Sequence, residues 1–231
     1  MTILRNIVFC MICYPVSVLL VVVAVLAALT GQAGVIWGSR NWALWHRFCA
    51  RHLLGIRMKI EGGLDQGQAL YVIKHESMYE AIDTLALFAA PVVVMKQELL
   101  DVPLWGFASR KHGSIGVNRE AGGAAMRAMI TAAKAAKASG RPIILFPEGT
   151  RVPRGAQPPL KAGLAGLYKI LDLPVIPVAL DTGRVWPRRF LKRAGVVTLR
   201  VGATIPPGLP REEIERRVHT AINALNDPAV V

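Results

Sequence analysis

The chain has 231 residues and a mass of 25.0 kDa, which fits one domain with an appendage and excludes a protein of several large domains. Its hydrophobic content of 53% excludes a disordered chain. With 28 Lys and Arg against 15 Asp and Glu, the formal net charge of +13 predicts a polyanionic partner, either an anionic membrane surface or nucleic acid, and the high hydrophobicity favours the membrane.

The first predicted element is an uncharged apolar segment at residues 7–29. About 20 helical residues cross a bilayer core of roughly 30 Å, so this segment is long enough to span a membrane. It is longer than the roughly 7 to 15 apolar residues of a cleavable signal peptide, which predicts a retained membrane-anchoring helix. Cys10 and Cys13 lie inside it without a second cysteine pair or a nearby histidine, and we interpret them as small apolar residues rather than a metal or redox site.

Cations and tryptophans follow the apolar segment. Only Arg5 precedes it, whereas the cations that follow are Arg40, Arg47, Arg51, Arg57 and Lys59. This asymmetry predicts that the globular part lies on the cytoplasmic face of the cytoplasmic membrane. Three tryptophans among the cations are typical of a segment at the level of the lipid headgroups, so a two-helix hairpin in one leaflet is the alternative to a spanning helix: Trp37, Trp42 and Trp45. We assign residues 1–59 to the membrane anchor and interfacial segment and residues 60–231 to a globular domain.

From residue 60 onward, short apolar runs alternate with helical ones. This pattern predicts an α/β domain with a mixed, largely buried sheet flanked by helices. Strands are predicted at residues 69–74, 91–95, 143–146 and 175–180, with shorter or later candidates at 114–117 and 196–201. An amphipathic crossover helix is predicted at residues 121–139 and a C-terminal helix at residues 212–225.

A polar sequence, KHESMYE at residues 74–80, begins where the first of these strands ends. A histidine, with an ordinary pKa of about 6.5, suits proton abstraction at neutral pH, and a carboxylate on its second nitrogen fixes its tautomer. Glu80 is the candidate partner of His75, and the two meet only if His75 precedes the helix and Glu80 lies in its first turns. Glu76 and Asp83 are alternative carboxylates. Ser77 is interpreted as a helix-capping residue rather than a nucleophile.

The sequence FPEGTR at residues 146–151 follows a second apolar strand. Its Pro-x-Gly predicts a tight turn that crowds polar side chains into one loop. The chain has no G-x-G-x-x-G, no G-x-x-x-x-G-K-[ST], no G-x-S-x-G and no His or Cys cluster with metal-ligand spacing. The sequence therefore does not support a nucleotide-dependent enzyme, an α/β-hydrolase or a metal site.

H-x-x-x-x-E at residues 75–80 and FPEGTR together resemble the glycerolipid acyltransferase superfamily, whose type member acylates lysophosphatidate. GSIGVNR at residues 113–119 looks like the second block of that family, and VIPVAL at residues 175–180 looks like the fourth. PLKAG at residues 159–163 also lies at the usual distance behind FPEGTR. The resemblance covers residues 71–180 in the right order. One position departs from it, because the first block usually ends in Asp and this chain has Glu80.

The resemblance implies transfer of a fatty acyl group from acyl-CoA or acyl-carrier protein to the sn-2 hydroxyl of lysophosphatidate, giving phosphatidate without a metal or cofactor. His75 is then the general base of a direct transfer, and Glu80 orients it. Arg119 and Arg151 suit the acceptor phosphate, since a guanidinium binds a phosphate through two hydrogen bonds. The other residues implied to shape or charge the acceptor pocket are Glu148, Gly149, Thr150 and Lys161.

Three alternatives remain at this stage. The acceptor could be another lyso-lipid, such as a lyso-ornithine lipid or a lysophospholipid. The chain could be a non-catalytic lipid-binding membrane protein, for which Glu80 is the only sequence support, or a DNA-binding protein. A basic cluster with interleaved aromatics is interpreted as facing anionic lipid headgroups, its alternatives being nucleic acid or a solvated loop: Arg184, Trp186, Arg188, Arg189, Phe190, Lys192 and Arg193.

Overall fold

The computed structural model describes residues 2–117 and 123–226, and the chain begins with two packed helices. Helix α1 (Thr2–Ala27) runs through Pro15 and is followed by a 3-10 turn (Ala28–Thr30), helix α2 (Gln32–Cys49) and a π turn (Ala50–Leu54). Gly31 makes the reversal with a φ of 108°, a conformation that favours glycine. A Cβ on Gly38 would lie 2.6 Å from Ala24 Cα, so its missing side chain lets the two helices approach closely. The predicted N-terminal apolar helix is confirmed.

The start of α1 and the start of α2 both contact the globular part of the chain. In α1, Asn6 Nδ2 donates to the Lys192 carbonyl (2.8 Å) and the Lys192 N–H donates to Asn6 Oδ1 (2.7 Å). In α2, Gln32 Nε2 donates to the His112 carbonyl (3.4 Å). The segment Thr2–Thr30 is long and apolar enough to cross a membrane by length and composition. Its outer face exposes apolar side chains along the whole helix: Ile3, Leu4, Ile7, Met11, Val18, Val22 and Leu26.

The remaining elements form an α/β unit. Its strands are β1 (Ile56–Glu61), β2 (Leu70–Ile73), β3 (Val92–Lys96), β4 (Ile115–Val117), β5 (Ile143–Leu145), β6 (Val175–Leu180) and β7 (Gly195–Val201). Its helices are α3 (Met78–Leu87), α4 (Gln97–Leu100), α5 (Trp105–His112), α6 (Gly123–Ala138), α7 (Gly163–Leu171) and α8 (Arg211–Ile222). The strand order is β1-β7-β6-β2-β5-β3-β4, parallel throughout except between β6 and β7. The predicted mixed sheet flanked by helices is confirmed, and each predicted strand is present within one residue of its expected bounds.

Strand β1 was not predicted. It lies at the edge of the sheet, parallel to β7, with Arg57 and Lys59 exposed. Its alternating sequence IRMKIE has the period of two expected of a half-exposed strand. Its charges, however, also fit the flank of the membrane segment. The division of the chain at residues 59 and 60 stays a prediction, and β1 runs across it.

The three central strands, β2, β5 and β6, are buried along their whole length. Leu70 and Val72 point into a core shared with α6, α7 and α8, whereas Tyr71 and Ile73 point into a second core that includes Phe88. Because β2 is parallel to both β5 and β6, the carboxyl ends of all three strands meet at one edge. Ligand sites in α/β sheets lie at this edge. The residues that follow β2, β5 and β6 are therefore brought together.

Candidate active site

The sequence after β2 begins helix α3 with a capping box. Ser77 is the N-cap residue in an extended conformation, and its Oγ accepts a hydrogen bond from the Tyr79 N–H (3.1 Å). In return, the Glu80 carboxylate accepts from the Ser77 N–H (2.6 Å). These bonds satisfy two amide groups that the first turn of a helix leaves unpaired. The predicted capping role of Ser77 is confirmed.

His75 lies just before this helix and Glu80 lies in its first turn, so the two side chains meet. His75 Nδ1 is 2.9 Å from Glu80 Oε1. The other ring nitrogen, Nε2, makes no hydrogen bond with the residues that the structure describes, and the His75 side chain remains 15% exposed. The structure thus gives the pair the geometry that proton abstraction requires, with one nitrogen held by a carboxylate and the other free for a substrate.

Glu80 is almost fully buried and accepts five hydrogen bonds. Its Oε1 accepts from the Glu76 N–H (2.7 Å) as well as from the Ser77 N–H and His75. Its Oε2 accepts from Ser77 Oγ and from Thr182 Oγ1 (2.7 Å). An ionised carboxylate has only acceptors, and here both oxygens are occupied by donors. The glutamate that departs from the family pattern is therefore fixed in place, and its longer side chain is accommodated.

Thr182 is a site residue that the sequence analysis missed. It is completely buried, and it lies just after β6 at the same edge as His75. The sequence signal that could have identified Thr182 is its position, since a polar residue that follows a buried parallel strand lies at the carboxyl edge of the sheet. Its hydroxyl joins a third strand to the histidine and glutamate pair.

The FPEGTR loop forms the predicted tight turn. Gly149 has a φ of 63°, and its N–H donates to the Phe146 carbonyl (3.0 Å). The ring of Phe146 packs on the imidazole of His75 with 4.4 Å between ring centroids and an interplanar angle of 30°. The aromatic residue of the motif thus supports one face of the histidine.

The same loop is bound to the end of β2 through Glu148. This buried carboxylate accepts the His75 N–H at Oε2 (2.9 Å) and forms an ion pair with Lys74 at Oε1. Lys74 Nζ also donates to the Ala156 carbonyl (2.7 Å) and to Asn223 Oδ1 (2.8 Å), so its three donors are all used. These bonds fix the backbone of His75 relative to the loop. The sequence analysis also gave Lys74 no role. The signal for one was that a lysine is unusual at the end of an apolar strand and next to a histidine.

A cleft of about 640 Å³ lies against this loop. Its walls include four residues that the sequence analysis assigned to the acceptor: Glu148, Thr150, Arg151 and Lys161. Gly149 lies in the same turn, whereas Arg119 lies outside the described residues. Clefts of several hundred Å³ suit small ligands and headgroups. In the described ranges, no group of three or more His, Cys, Asp or Glu side chains is arranged to hold a metal ion.

The two alternative carboxylates have other partners. Asp83 forms an ion pair with Arg47 (2.6 Å), which joins α3 to α2. Glu76 is buried beside the site, its Oε2 accepts from the Gly183 N–H (2.7 Å), and its Oε1 has no partner among the described residues. Burial raises the pKa of Glu76 to about 7. Neither carboxylate contacts His75, so the geometry singles out Glu80.

Known proteins resemble the chain in sequence and in fold. The 1-acyl-sn-glycerol-3-phosphate acyltransferase of Pseudomonas aeruginosa is 28% identical over 71% of this chain and 65% of its own length. The enzyme of the same name from Helicobacter pylori is 29% identical over 57% of this chain and 56% of its own length. The chain thus spans between about half and two thirds of these relatives.

A solved structure agrees in architecture over the whole chain. The crystal structure of the 1-acyl-sn-glycerophosphate acyltransferase from Thermotoga maritima matches with a TM-score of 0.75 and 20% identity, covering 100% of this chain and 98% of that one. At this identity the likeness shows the fold. The family model described as Acyltransferase matches residues 55–181, which include all of β2, the histidine and glutamate pair and the FPEGTR loop. The chain, with more than half of its length matched, therefore belongs to the Acyltransferase family.

Proposed function

We propose that the chain transfers a fatty acyl group from acyl-CoA or acyl-carrier protein to the sn-2 hydroxyl of lysophosphatidate, giving phosphatidate. The observation that carries this proposal is the His75 and Glu80 pair, whose histidine is hydrogen-bonded to Glu148 in the wall of a cleft that is also lined by Arg151 and Lys161. A base joined through one loop to a cleft with cations suits an acceptor that has both a hydroxyl and a phosphate. The names of the relatives support the same substrate.

In the proposed reaction, His75 Nε2 removes the proton from the acceptor hydroxyl while that oxygen attacks the thioester carbonyl. Glu80, bonded to Nδ1, holds the imidazole in the required tautomer and stabilises the imidazolium that forms. The new carbon–oxygen bond replaces the carbon–sulfur bond, and the imidazolium returns the proton to the departing thiolate. The transfer is direct, and no acyl-enzyme forms. Neither a metal nor a cofactor takes part in this proposal.

The acceptor phosphate is assigned to the cleft. Arg151 offers a planar guanidinium and Lys161 an ammonium, and the Thr150 hydroxyl adds a neutral donor. Arg119 is added to this set from the resemblance alone. Glu148 contributes through the backbone of the loop, since its carboxylate is engaged by Lys74 and His75.

We also propose that the first two helices lie within one leaflet of the cytoplasmic membrane, with the catalytic domain on its cytoplasmic face. A helix that spans a bilayer has its ends on opposite sides, whereas the domain is contacted near the start of α1 by Asn6 and, just after the end of α1, by Gln32 of α2. The outer face of α1 is apolar along its length, as the acyl region of a leaflet requires.

The test is acyl transfer from labelled oleoyl-CoA or acyl-carrier protein to lysophosphatidate and to a panel of lyso-lipids, by the purified chain in detergent micelles. His75→Ala is expected to abolish turnover, whereas His52→Ala, on an exposed histidine in the turn Ala50–Leu54, retains it. In the same assay, Arg151→Ala is expected to raise the KM of the acceptor and not that of the donor. Turnover that survives His75→Ala would overturn the mechanism, and activity on another lyso-lipid alone would change the acceptor.

A further inference from the structure

Residues 187–193, which we name the basic loop, lie between the buried Trp186 and strand β7. The tip of the loop exposes two large apolar side chains, Phe190 (64% exposed) and Leu191 (41% exposed). Three exposed arginines flank this tip: Arg188, Arg189 and Arg193. Exposed apolar residues among cations are the composition of elements that lie in the interface of a membrane.

The shape of the loop is fixed from within by Lys192. Its Nζ donates to the Pro187 carbonyl (3.1 Å) and to the Arg189 carbonyl (2.7 Å), and it lies 5.4 Å from the centre of the Trp186 ring. These bonds turn Lys192 inward and leave Phe190 and Leu191 at the tip. The conformation of the apolar tip is therefore fixed before binding, so binding does not incur the entropic cost of ordering the loop.

The loop also contacts both α1, which has an apolar outer face, and the wall of the cleft proposed to bind the acceptor. Its Lys192 backbone forms the paired hydrogen bonds with Asn6 of α1, next to the exposed Ile3 and Ile7. At its other end, the Arg188 guanidinium donates to the Arg151 carbonyl in the wall of the cleft. The loop is thus hydrogen-bonded to α1 on one side and to the wall of the cleft on the other.

We propose that the basic loop is a second membrane-docking element, separate from the N-terminal helices. Phe190 and Leu191 enter the apolar boundary of an anionic phospholipid bilayer, and the arginines bind lipid phosphates at the surface. The attachment of the loop to α1, whose outer face is apolar along its length, favours a lipid surface over nucleic acid, which would leave that apolar face in water. This proposal concerns a surface and does not depend on the acceptor or the donor of the reaction.

The first experiment measures the depth of the loop in a membrane. The full chain with Phe190→Cys is labelled with the environment-sensitive dye nitrobenzoxadiazole and reconstituted into vesicles of phosphatidylcholine and phosphatidylglycerol that contain a quencher on the acyl chain. Cys13 and Cys49 are buried, whereas the partly exposed Cys10 is replaced by Ser in every labelled chain, and labelling of the chain with Cys10→Ser alone gives the baseline. We expect quenching and a blue shift at position 190. The matched control, Glu212→Cys at the exposed start of α8, stays unquenched. A dye at position 190 that stays in water, as the control does, would overturn the proposal.

The second experiment tests the cations. Replacing Arg188, Arg189 and Arg193 by Gln is expected to lower the preference of the chain for phosphatidylglycerol vesicles over phosphatidylcholine vesicles by roughly 100-fold, about fivefold for each cation. The matched control removes the same charge from α6, through Arg127→Gln, Lys134→Gln and Lys137→Gln. Equal losses in both variants would contradict a specific role for the loop. If the label at position 190 responds to duplex DNA and not to vesicles, the loop binds nucleic acid instead.

The readouts keep this proposal separate from the proposed reaction. Neither the depth measurement nor the vesicle preference requires turnover, so a chain that proves inactive on every acceptor still tests the loop. Conversely, we expect the Phe190→Ser and Leu191→Ser double variant to keep the activity of the parent chain in detergent micelles, where no bilayer has to be recognised.

Discussion

Glu80 is hydrogen-bonded to His75, and its carboxylate accepts five hydrogen bonds from two parts of the chain. The donors near it in sequence belong to the start of α3, whereas Thr182 follows β6. The carboxylate is therefore held by the helix start and by the sheet at the same time. A glutamate can replace the usual aspartate here because the site supplies partners for both of its oxygens.

Thr182 is expected to act as a positioning residue. Thr182→Val keeps the shape of the side chain and removes the donor to Glu80 Oε2, which leaves a charged group with one hydrogen bond fewer. A hydrogen bond to a charged group contributes about 1.5 to 3 kcal/mol, so we expect kcat to fall by roughly 10- to 100-fold while the KM values stay unchanged.

Thr182→Ser retains the hydroxyl and is expected to restore most of the turnover, which separates the hydrogen bond from packing. Steady-state kinetics of both variants in micelles, together with their thermal unfolding, provide the measurement. Equal kcat values for the Val and Ser variants would show that the hydroxyl does not position Glu80.

Glu76 is expected to make the stability of the protein depend on pH. Its pKa is raised from 4.5 to about 7 in the folded chain, chiefly by burial, so the folded state favours the protonated form. Its contribution to stability is full below the unfolded pKa and is lost as the pH rises through the folded pKa. At about 1.4 kcal/mol for each pKa unit, the loss is on the order of 3 kcal/mol.

Glu76→Gln cannot ionise and should keep its free energy of unfolding over this interval. Denaturant unfolding of both proteins at about pH 5 and about pH 9 gives the comparison, with the alkaline loss confined to the parent chain. Parallel losses in the two proteins would assign the pH dependence to other groups.

Much of the candidate site could be predicted at the level of single residues. Ser77 as a cap and Gly149 in a tight turn follow from local rules that involve a few neighbouring residues. Thr182 and the Lys74 ion pair could not be predicted in the same way. Their partners are distant in sequence, and the order of β6, β2 and β5 in the sheet is what brings them together.

At the level of elements, the end of β2 and the FPEGTR loop act as one unit. Besides the bonds through Glu148, the Val152 N–H donates to the His75 carbonyl (2.7 Å), so His75 is held at both its amide and its carbonyl. The catalytic histidine proposed here is thus fixed through its backbone by the neighbouring loop and through its side chain by α3.

Lys74→Met is expected to weaken this unit strongly. It leaves the Glu148 carboxylate buried without its cation, and breaking a buried ion pair from one side costs about 3 to 5 kcal/mol. The double variant Lys74→Met and Glu148→Gln removes both charges and keeps an acceptor for the His75 N–H, so most of the loss should be recovered. Denaturant unfolding of the two variants measures the difference, and a double variant no more stable than the single one would contradict this account.

The sequence predicts a strand or helix well where the apolar residues of the element follow a single pattern along its length. Composition alone identifies the buried strands β2, β5 and β6, which are continuous apolar runs. The spacing of apolar residues identifies the amphipathic helix α6. The edge strand β1 was not recognised because its charges also fit a membrane-flanking segment. Only its pairing with β7 reveals its structure.

At the scale of the whole molecule, the outward apolar face of α1 and the basic loop form the side that we propose faces lipid, and Arg188 joins this side to Arg151 in the wall of the cleft. An acceptor lipid could then remain in its leaflet while its phosphate enters the cleft. The spanning and in-plane arrangements of α1 were both compatible with the sequence. The contacts of Asn6, near the start of α1, and of Gln32, at the start of α2, with the same domain favour the in-plane arrangement.

If α1 lies in the plane of the membrane, both of its ends are on the same side. Single cysteines at Thr2 and Thr30, placed in a chain reconstituted into sealed vesicles, should react alike with a membrane-impermeant maleimide, and both should be either accessible or protected together with a cysteine at Glu212. Ends that react from opposite sides would establish a spanning helix.

The bond between Asn6 and Lys192 joins residues 186 positions apart, and this separation has a consequence for biosynthesis. At a synthesis rate of about 5 to 20 residues per second, the ribosome needs roughly 8 to 33 s to reach Lys192 after α1 has been completed at Ala27. During that interval the nascent helix has no domain on which to dock. We therefore expect the bilayer to receive α1 first, and the domain to fold afterwards onto a helix that is already in the membrane.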